Sequence, residues 1–452
     1  METFDTAVVG GGLAGLGTAS LLQQRGDNVV LFEKESQPGG KVRSLREDGF
    51  IVEMGPLGWL DREPVVGDLV SSLGLTPLIA DDIQKDRSLY KDGGIVALPS
   101  DGKSFLVSKV LPFSAKFRLG CEMFIPARRK GEESIHSFAT RRFGKHVANT
   151  LFSAMVSGIY GGDPKQLSVH AAFPMMAGWE FESGSCMRGA MKHMRKKGRD
   201  IREGRLRKTR GTLCSLPGGL GDLTDAIAAQ LGSNYRGGKG LDEVVPNGTG
   251  WDLYQDGDVL ATARNLVLAV PAREAVRLLG VVGKDLVPVA DSIPGNNLCV
   301  VTGAWHRDKV KDALRSFGFI ALRDHGFRPL GVQYASSIFP DQSPSDMVQL
   351  RVLIGGSFDP NVAELNDQEL EAECFGPLRD LLGVQGDPER VWIRRVAGGI
   401  PQYTIGHLQR ISAFDEKERL YPGLHFAGDS LHGVGVNAVL KRALVVANRI
   451  RE

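Results

Sequence analysis

One stretch near the start of the chain constrains the fold more than any other. Residues 4–9 form a mainly apolar strand pattern that ends at Gly10, and a helical pattern continues to Leu22 after Gly12 and Gly15. In this G-x-G-x-x-G spacing, the first glycine permits a tight turn, the second lets backbone approach a pyrophosphate, and the third lets helix and strand pack closely. The helix N-terminus then presents N–H groups and a positive dipole end to a phosphate. The pattern predicts a dinucleotide-binding strand, turn and helix.

A second strand pattern follows, as a βαβ unit requires. Residues 28–32 are Asn-Val-Val-Leu-Phe, and Glu33 closes this run. An acid about 20 residues beyond the glycines accepts hydrogen bonds from ribose hydroxyls, and its charge repels a 2′-phosphate. A glycine motif alone is equally consistent with an ordinary turn. Strand, turn, helix, strand and acid in register favour the dinucleotide site.

Composition excludes several classes of protein. The chain has 452 residues, of which 42% are hydrophobic and 24% are charged, as in a globular protein of two or three domains. Its net charge of +2 gives no overall nucleic-acid signature. The fold pattern begins by residue 4, which leaves no room for a signal peptide, and no apolar run reaches the ~18 residues of a membrane span. We expect a cytoplasmic protein without a transmembrane helix.

Side chains that carry enzyme chemistry by themselves are scattered. The five cysteines lie far apart with no C-x-x-C pair, which fits a reducing compartment and argues against a disulfide framework or a zinc site. We predict no metal, and we find no evident nucleophile or carboxylate pair. Such a chain suits a reaction whose difficult step belongs to a cofactor. The cysteines, interpreted as small buried hydrophobes, are Cys121, Cys186, Cys214, Cys299 and Cys374.

The segments after the first acid indicate which dinucleotide is bound. Residues 37–43 are Gln-Pro-Gly-Gly-Lys-Val-Arg, and residues 53–58 are Glu-Met-Gly-Pro-Leu-Gly. This order resembles the flavin-containing amine oxidase superfamily, in which a GG-x-x-R-type segment and a later glycine turn continue along FAD. The residues that the resemblance implies near the pyrophosphate are Gly40, Lys41 and Arg43, and those near the isoalloxazine are Gly55, Pro56, Leu57 and Gly58.

The end of the chain matches the same cofactor. Residues 422–429 form a strand pattern ending in Gly-Asp, and residues 433–437 lead into a helix. Asp429 can accept hydrogen bonds from ribitol hydroxyls, and the helix N-terminus can face negative charge on the flavin. The resemblance matches Leu241 to an adenine contact, and Val396 to a position where some relatives place a tryptophan near the flavin. The predicted cofactor-binding residues are Gly10, Gly12, Leu13, Ala14, Gly15, Glu33, Lys34, Gly40, Lys41, Arg43, Gly55, Pro56, Leu57, Gly58, Leu241, Val396, Gly428, Asp429, Val434, Gly435 and Val436.

Three stretches narrow the resemblance further. They are residues 400–407 (Ile-Pro-Gln-Tyr-Thr-Ile-Gly-His), residues 157–163 (Ser-Gly-Ile-Tyr-Gly-Gly-Asp) with Leu167-Ser168, and residues 433–437 (Gly-Val-Gly-Val-Asn). Together they resemble the oxygen-dependent porphyrinogen oxidases over almost the whole chain. The resemblance implies six-electron oxidation of protoporphyrinogen IX to protoporphyrin IX in haem synthesis, by hydride transfer to FAD with dioxygen as acceptor and peroxide released. Coproporphyrinogen III is the close alternative substrate. Because no cysteine follows Cys374, we expect FAD to be bound non-covalently.

A porphyrinogen is bulky and apolar and carries propionates, so it needs an apolar cleft with a cation at the rim. Matched to the family, Phe317, Ile320 and Leu353 fall on the cavity wall, and Gly158 falls where backbone lies close to the macrocycle. Lys103 falls near an arginine proposed in some relatives to meet a propionate. A lysine neutralises a carboxylate but does not form bidentate hydrogen bonds to it. The alternatives are ordinary strand core for the apolar residues and a solvated loop for Lys103.

Residues 188–210 are strongly basic, with eleven lysines and arginines against one aspartate and one glutamate. A solvated loop is one interpretation. The other is a patch, Arg188–Arg210, that attracts an anionic membrane surface or an acidic partner, with Met187, Met191 and Met194 entering the interface. A nucleic-acid partner is disfavoured because no aromatic residues lie between the charges.

These observations predict an α/β protein with a two-dinucleotide-binding FAD domain of Rossmann type, a mixed-sheet substrate domain and an inserted mainly helical domain. The predicted boundaries are 1–60, 212–290 and 415–452 for the FAD domain, 61–112 and 291–414 for the substrate domain, and 113–211 for the helical, membrane-contacting domain. Two other functions stay open, namely a carotenoid desaturase or amine oxidase on the same fold, and a non-catalytic flavin-binding module that serves as a partner, for instance to a ferrochelatase. His407 and His432 are interpreted as structural histidines rather than general bases.

Overall fold

A computed structural model gives the structure of the protein and describes residues 2–99, 102–128, 130–310, 314–323 and 325–450. The strands are β1 (Glu2–Val9), β2 (Val29–Glu33), β3 (Ser44–Glu47), β4 (Phe50–Glu53), β5 (Trp59–Leu60), β6 (Leu78–Ile79), β7 (Arg87–Lys91), β8 (Gly94–Ala97), β9 (Leu213–Ser215), β10 (Tyr235–Gly237), β11 (Glu243–Pro246), β12 (Trp251–Gln255), β13 (Asp258–Leu268), β14 (Gly295–His306), β15 (Gly318–Ala321), β16 (Gly331–Tyr334), β17 (Met347–Gly355), β18 (Arg390–Pro401) and β19 (Leu424–Phe426).

The α-helices are α1 (Leu13–Gln23), α2 (Pro64–Ser72), α3 (Gly102–Val107), α4 (Phe113–Gly120), α5 (Ile135–Phe143), α6 (Lys145–Val147), α7 (Ser153–Tyr160), α8 (Val169–Ala172), α9 (Pro174–Ser183), α10 (Cys186–Arg202), α11 (Gly221–Leu231), α12 (Ala272–Leu278), α13 (Val287–Asp291), α14 (Ala335–Ile338), α15 (Asp367–Leu382), α16 (His407–Leu420) and α17 (Val436–Arg449). Among the described residues, no helix is both long and apolar enough to cross a bilayer.

The chain divides into two compact units, the first of which comprises Met1–Ile79, Gly211–Pro294 and Leu408–Glu452. Its main sheet has the strand order β10-β2-β1-β13-β12-β11, and β19 also pairs with β13. Strands β10, β2, β1, β13 and β19 run parallel to one another. Strand β12 pairs antiparallel with β13, and β11 pairs antiparallel with β12. Parallel strands are joined by crossover helices that cover the sheet, which explains why β2 is almost continuously apolar and buried.

Helices from distant parts of the chain cover one face of this sheet. Helix α1 packs on α11 and on the C-terminal helix α17. The approach of α1 to α17 is close, because a Cβ on Gly17 would lie 2.5 Å from Cδ2 of Leu440. The other face packs against α12 and α13, with Trp251 and Phe414 fully buried there. Unit 1 therefore has a three-layer α/β core, and the predicted fold class is confirmed.

Unit 2 comprises Ala80–Arg210 and Gly295–His407. Its sheet has the order β18-β14-β17-β16-β15-β7-β8, mostly antiparallel, with a parallel pair between β15 and β7. Helix α15 covers one face, where Leu370, Cys374 and Leu378 pack on Val301 and Val352. Helix α15 begins with a capping box, in which Asn366 and Glu369 each satisfy a backbone N–H of the other.

Several sequence predictions hold at the level of elements. The pattern of residues 89–99 predicts a hairpin, which is β7 and β8. The patterns of residues 296–304, 317–322, 330–335 and 348–356 predict four strands of a second sheet, which are β14 to β17. Two differ in detail. The pattern of residues 241–245 predicts a strand, but Leu241 lies before β11, because its carbonyl accepts a hydrogen bond from Arg277 at 3.2 Å instead of joining the ladder. The first part of the basic segment is α10 rather than a loop. The division into three domains stays a prediction.

Candidate functional site

The glycine turn between β1 and α1 leaves one position open. Gly10 has φ +108°, which L-residues rarely adopt, and a Cβ on Gly15 would lie 1.9 Å from the carbonyl oxygen of Gly10. Gly12 differs from both, because a Cβ there would meet nothing within 4 Å. The turn is thus packed on the side of the sheet and open above Gly12, as close approach by a pyrophosphate requires.

Glu33 lies beside this turn at the end of β2. One carboxylate oxygen accepts a hydrogen bond from the backbone N–H of Gly11, and the other accepts one from Glu35 at 2.9 Å. The two bonds fix the carboxylate beside the turn, where the sequence predicts a ribose contact. Lys34, also predicted near the cofactor, is exposed.

The predicted pyrophosphate segment folds directly onto the turn. The N–H of Gly39 donates to the carbonyl oxygen of Gly11 at 2.8 Å, and a Cβ on Gly40 would lie 3.2 Å from Cα of Gly12. In the part of the chain that the structure describes, Nε of Arg43 is buried and has no hydrogen-bond partner. A buried guanidinium nitrogen without an acceptor carries a desolvation cost that a bound anion relieves.

The last segment reaches the same place from the far end of the chain. Nζ of Lys41 lies 2.6 Å from Oδ2 of Asp429, which follows Gly428 (φ +120°). Helix α17 then begins at Val436 after Gly435. Neither α17 nor α1 has a side-chain cap at its N-terminus or an acid in its first turn. Two helix N-termini thus keep backbone N–H groups for an anionic ligand.

The predicted isoalloxazine loop, residues 55–58, packs against β9. A Cβ on Gly58 would lie 2.2 Å from the carbonyl oxygen of Cys214, since Trp59 pairs with Cys214 in the small sheet β5-β9-β6. Leu57 is buried, whereas Gly55 and Pro56 are half-buried. Asn437 of α17 donates to the carbonyl oxygen of Leu60 at 2.7 Å and ties this loop to the last helix.

The residues of unit 1 fit a dinucleotide. The open position at Gly12, the buried Nε of Arg43 and two uncapped helix N-termini supply space, charge and N–H donors in one unit. Leu241 is buried in the core beside this sheet. Val396 lies in unit 2 on β18, and its flavin contact stays a prediction. Among the described residues, no group of three or more His, Cys, Asp or Glu side chains is arranged to hold a metal.

In unit 2, the two segments that carry the porphyrinogen oxidase resemblance pack on each other. Nε2 of Gln402 donates to the carbonyl oxygen of Tyr160 at 2.9 Å, and the N–H of Ser168 donates to Tyr403 at 2.8 Å. Asn296 adds a donor from β14, with Nδ2 at 2.8 Å from the carbonyl oxygen of Gly161. No motif predicts a role for Asn296, because this residue lies outside all of the segments that resemble the family.

The aromatic groups of these segments are structural. The rings of Tyr403 and His407 stack with centroids 4.1 Å apart, and both residues are buried. Burial raises the pKa of Tyr160, so its hydroxyl stays protonated and donates to the carbonyl oxygen of Ala172 at 3.2 Å. Neither Tyr160 nor His407 is thus placed as an acid or base by these contacts. The structural interpretation of His407 accords with its complete burial.

Two of the predicted cavity-wall residues share one face of the second sheet. Ile320 and Leu353 lie in one cross-strand row, both opposite Gly331, and each is half-buried. A Cβ on Gly158 would lie 2.8 Å from Cδ1 of Ile320, so α7 lies on this face. Phe317 precedes β15, outside the row, with the guanidinium of Arg87 4.8 Å from its ring centroid.

Lys103 lies on α3 and is exposed. The end of α3 is fixed by Lys116, whose Nζ donates to the carbonyl oxygens of Leu106 at 2.7 Å and Ser108 at 2.6 Å. The propionate role of Lys103 stays a prediction.

Comparison with protein families identifies the chain. Residues 13–451 match the family described as flavin containing amine oxidoreductase. The chain belongs to this family. It is therefore a flavin-dependent oxidoreductase, and the predicted recognition and enzyme class are confirmed.

Relatives within this flavin-dependent family have two different substrate names. The chain is 30% identical to protoporphyrinogen oxidase 2, chloroplastic/mitochondrial, of Arabidopsis thaliana, over 95% of this chain and 90% of the relative. It is 31% identical to a coproporphyrinogen III oxidase of Propionibacterium freudenreichii subsp. freudenreichii, over 95% of this chain and 87% of the relative. A solved structure from Exiguobacterium sp. 255-15, proposed to be a protoporphyrinogen oxidase, superposes with a TM-score of 0.82 at 24% identity, over 99% of this chain and 98% of that chain, and shows the same fold.

The ion pair between Lys41 and Asp429 gives a direct test of the flavin site. We expect Asp429→Ala to retain flavin several-fold less tightly, because it removes the predicted acceptor for ribitol hydroxyls and leaves Lys41 without this carboxylate. Flavin release on dilution, followed by the recovery of flavin fluorescence, measures the change. Asp387→Ala is the control, because its ion pair with Arg379 lies at an exposed position in unit 2. Equal flavin retention in the two variants contradicts a cofactor role for Asp429.

Proposed function

We propose that this protein oxidises a porphyrinogen to a porphyrin with non-covalently bound FAD and dioxygen. Protoporphyrinogen IX is the first choice of substrate, and coproporphyrinogen III is the alternative. The observation that carries the proposal is the packing of residues 157–168 on residues 400–407, through Gln402 and Ser168. These are the segments that resemble porphyrinogen oxidases, and relatives with both substrate names align over most of the chain.

The proposed FAD site uses the residues of unit 1. The turn at Gly12 and the N-terminus of α1 receive the pyrophosphate, with Arg43 as counter-charge. Glu33 accepts from the ribose and Asp429 from the ribitol. Bound there, FAD supplies a two-electron acceptor that dioxygen regenerates. A covalent link is not expected, since the sequence has no cysteine after Cys374.

The proposed substrate surface is the face of the second sheet that carries Ile320 and Leu353. Half-buried apolar side chains suit a flat, apolar macrocycle, and the close approach of α7 at Gly158 limits the depth of the surface beside Ile320. The chain itself contributes to the reaction by positioning the substrate and by excluding water. Lys103 is proposed to neutralise one propionate.

The experiment is a side-by-side assay of the purified holoenzyme with chemically reduced protoporphyrinogen IX and coproporphyrinogen III. Porphyrin fluorescence and dioxygen uptake are followed together, and an enzyme-free sample corrects for autoxidation. Faster turnover of one substrate assigns it. Turnover of neither above the control rejects the proposal and favours the desaturase or binding-module hypotheses. Peroxide yield with a polyamine or a carotene tests the other enzymes of this fold.

We also propose that the basic segment Arg188–Arg210 binds an anionic membrane surface, so that the protein is peripheral on the cytoplasmic side. Helix α10 supports this, since Met194 is 62% exposed among exposed lysines and arginines. Dioxygen is the proposed acceptor, and a ferrochelatase is a proposed partner that would receive the porphyrin.

Charge removal tests the membrane proposal. We expect glutamine at Lys192, Arg195, Lys196 and Arg199 to abolish sedimentation with vesicles of anionic lipid, because each cation near such a surface contributes about 1 kcal/mol. A variant with four exposed cations of unit 1 replaced is the control and is expected to sediment like wild type. These control positions are Lys239, Lys284, Arg419 and Lys441. Unchanged sedimentation of the α10 variant rejects the proposal.

A further inference from the structure

One cross-strand row on the second sheet ends in a cation. Reading across the sheet from β15 to β18, the row consists of Ile320, Gly331, Leu353, Val300 and Arg394. Directly opposed residues of antiparallel strands point to the same face, so the side chains of Ile320, Val300 and Arg394 lie on the same face as Leu353. Ile320, Leu353 and Arg394 are half-buried, and Val300 is buried.

The neighbours of Arg394 confirm which face it takes. Ile393 packs against the core that α15 covers, so by strand alternation Arg394 points away from that core. Arg395, next in sequence, points back toward the α15 side, where it donates to Asp367 at 2.7 Å and to the carbonyl oxygen of Leu365 at 2.6 Å. Two adjacent arginines therefore lie on opposite faces, one of them on the proposed substrate surface.

Ile320, Leu353 and Val300 form an apolar surface, and Arg394 lies at one end of it. Leu353 and Arg394 are two strands apart, which is roughly 10 Å at the usual spacing between strands. That separation is comparable to the distance from the centre of a tetrapyrrole to its propionate carboxylates. Helix α7 limits this apolar surface, because Gly158 packs closely on Ile320. Just after α7, a Cβ on Gly161 would lie 3.5 Å from Cδ2 of Leu298, which is in the next row of the same face.

A second arginine on this face is less suited to a ligand. Arg351 lies two residues before Leu353 on β17, is only 3% exposed and donates to Oε1 of Gln333. Arg394 is half-buried, so its side chain is less desolvated than that of Arg351. Such a guanidinium forms charge-assisted, bidentate hydrogen bonds to a carboxylate, which Lys103 does not offer.

We propose that Arg394 binds a propionate carboxylate of the porphyrinogen and orients the macrocycle over Leu353 and Val300. This inference rests on the proposed function and names a specificity residue that the sequence motifs do not contain. Arg394 acts on binding rather than on electron transfer, so its loss changes KM and leaves kcat nearly as it is.

The test compares Arg394→Gln, Arg394→Lys and the adjacent Arg395→Gln in the holoenzyme. We expect Arg394→Gln to raise KM for the porphyrinogen about tenfold, the usual cost of losing a hydrogen bond to a charged group, with kcat unchanged. Lysine restores charge without the bidentate geometry and should give an intermediate KM. Arg395→Gln should leave KM unchanged. A larger rise with coproporphyrinogen III than with protoporphyrinogen IX assigns Arg394 to a propionate that the latter lacks, and an equal rise assigns it to a shared one.

A binding measurement separates this inference from the proposed function. Coproporphyrin III and its tetramethyl ester are titrated into each holoenzyme, and porphyrin fluorescence reports the dissociation constant. We expect Arg394→Gln to weaken the acid about tenfold and to leave the ester unchanged. If Arg394→Gln weakens the binding of the acid and of the ester equally, Arg394 has only a structural role. If it does not weaken the binding of the acid, Arg394 does not bind a propionate. Either result overturns the inference. If wild type turns over neither porphyrinogen, the proposed function fails, whereas the acid–ester comparison still tests Arg394.

Discussion

Gly12→Val is expected to give a folded protein that purifies without flavin. The backbone at Gly12 has φ −73°, which valine adopts without strain, and a Cβ there would meet nothing within 4 Å of the protein. The open space is where the proposed pyrophosphate lies, so the added side chain obstructs the ligand rather than the fold. We expect the ratio of flavin to protein to fall about tenfold or more, since a hydrogen bond to a charged phosphate contributes about 1.5–3 kcal/mol and a displaced pyrophosphate loses such bonds.

Visible absorbance of the purified variant measures flavin content, and circular dichroism with thermal unfolding measures the fold. Gly178→Val in α9 is the control, because a Cβ there also meets nothing within 4 Å. Gly15→Ala supplies the contrast, since its Cβ would lie 1.9 Å from the carbonyl oxygen of Gly10 and should disrupt the packing of α1 on β1. A Gly12→Val protein that keeps its full yellow colour excludes the assignment of this turn to the pyrophosphate.

Arg142→Met is expected to lower the free energy of unfolding of unit 2 by about 3–5 kcal/mol, the usual effect of leaving buried charges without their partner. Arg142 is completely buried, donates to Glu122 and to the carbonyl oxygen of Ile125 at 2.8 Å, and lies 3.4 Å from Glu180. Removal of the arginine leaves two buried carboxylates with less compensation. Glu122 also accepts from the N–H of Cys186 at 2.9 Å, so the start of α10 depends on the same cluster.

Acid should weaken this cluster in wild type. Burial favours a raised pKa for Glu122, but hydrogen bonds from Ser185, Arg142 and the backbone outweigh it and lower the pKa. The pKa of Glu180 is also lowered, because Arg141 and the backbone N–H of Arg128 overcome its burial. A carboxylate whose pKa is lower in the folded state stabilises the fold above its unfolded pKa, near 4.5, and loses that contribution as pH falls through the folded value.

Urea unfolding followed by circular dichroism, at pH 7 and again at acidic pH, measures both effects. Arg379→Met is the control, because its ion pair with Asp387 is exposed and should contribute no more than about 1 kcal/mol. In Arg142→Met, the fall in stability on acidification should be smaller than in wild type, since part of the favourable pairing has gone. Equal stability of the Arg142 and Arg379 variants contradicts the importance of the cluster.

Local patterns made the first strand, turn and helix predictable, because the spacing of Gly10, Gly12 and Gly15 constrains contiguous backbone. The strands of the second sheet were predictable because they are short, mainly apolar runs. The ion pair between Lys41 and Asp429 was not, because it joins residues 388 positions apart and depends on how separate segments meet. Family resemblance placed Leu353 on a cavity wall, but only the strand register shows that Arg394 lies in the same row. Motifs record local sequence, whereas registers are set by the whole sheet.

The packing of α1 against α17 has a consequence for synthesis of the chain. Gly17 and Leu440 meet across nearly the entire sequence, and the proposed cofactor site takes residues from both of these ends. A ribosome delivers the first βαβ segment early, but the chain lacks Asp429 and the N-terminus of α17 until all the segments between them have been translated. If flavin binds at the proposed site, it binds only after α17 has been synthesised, and a nascent or truncated polypeptide that lacks α17 is expected to be colourless.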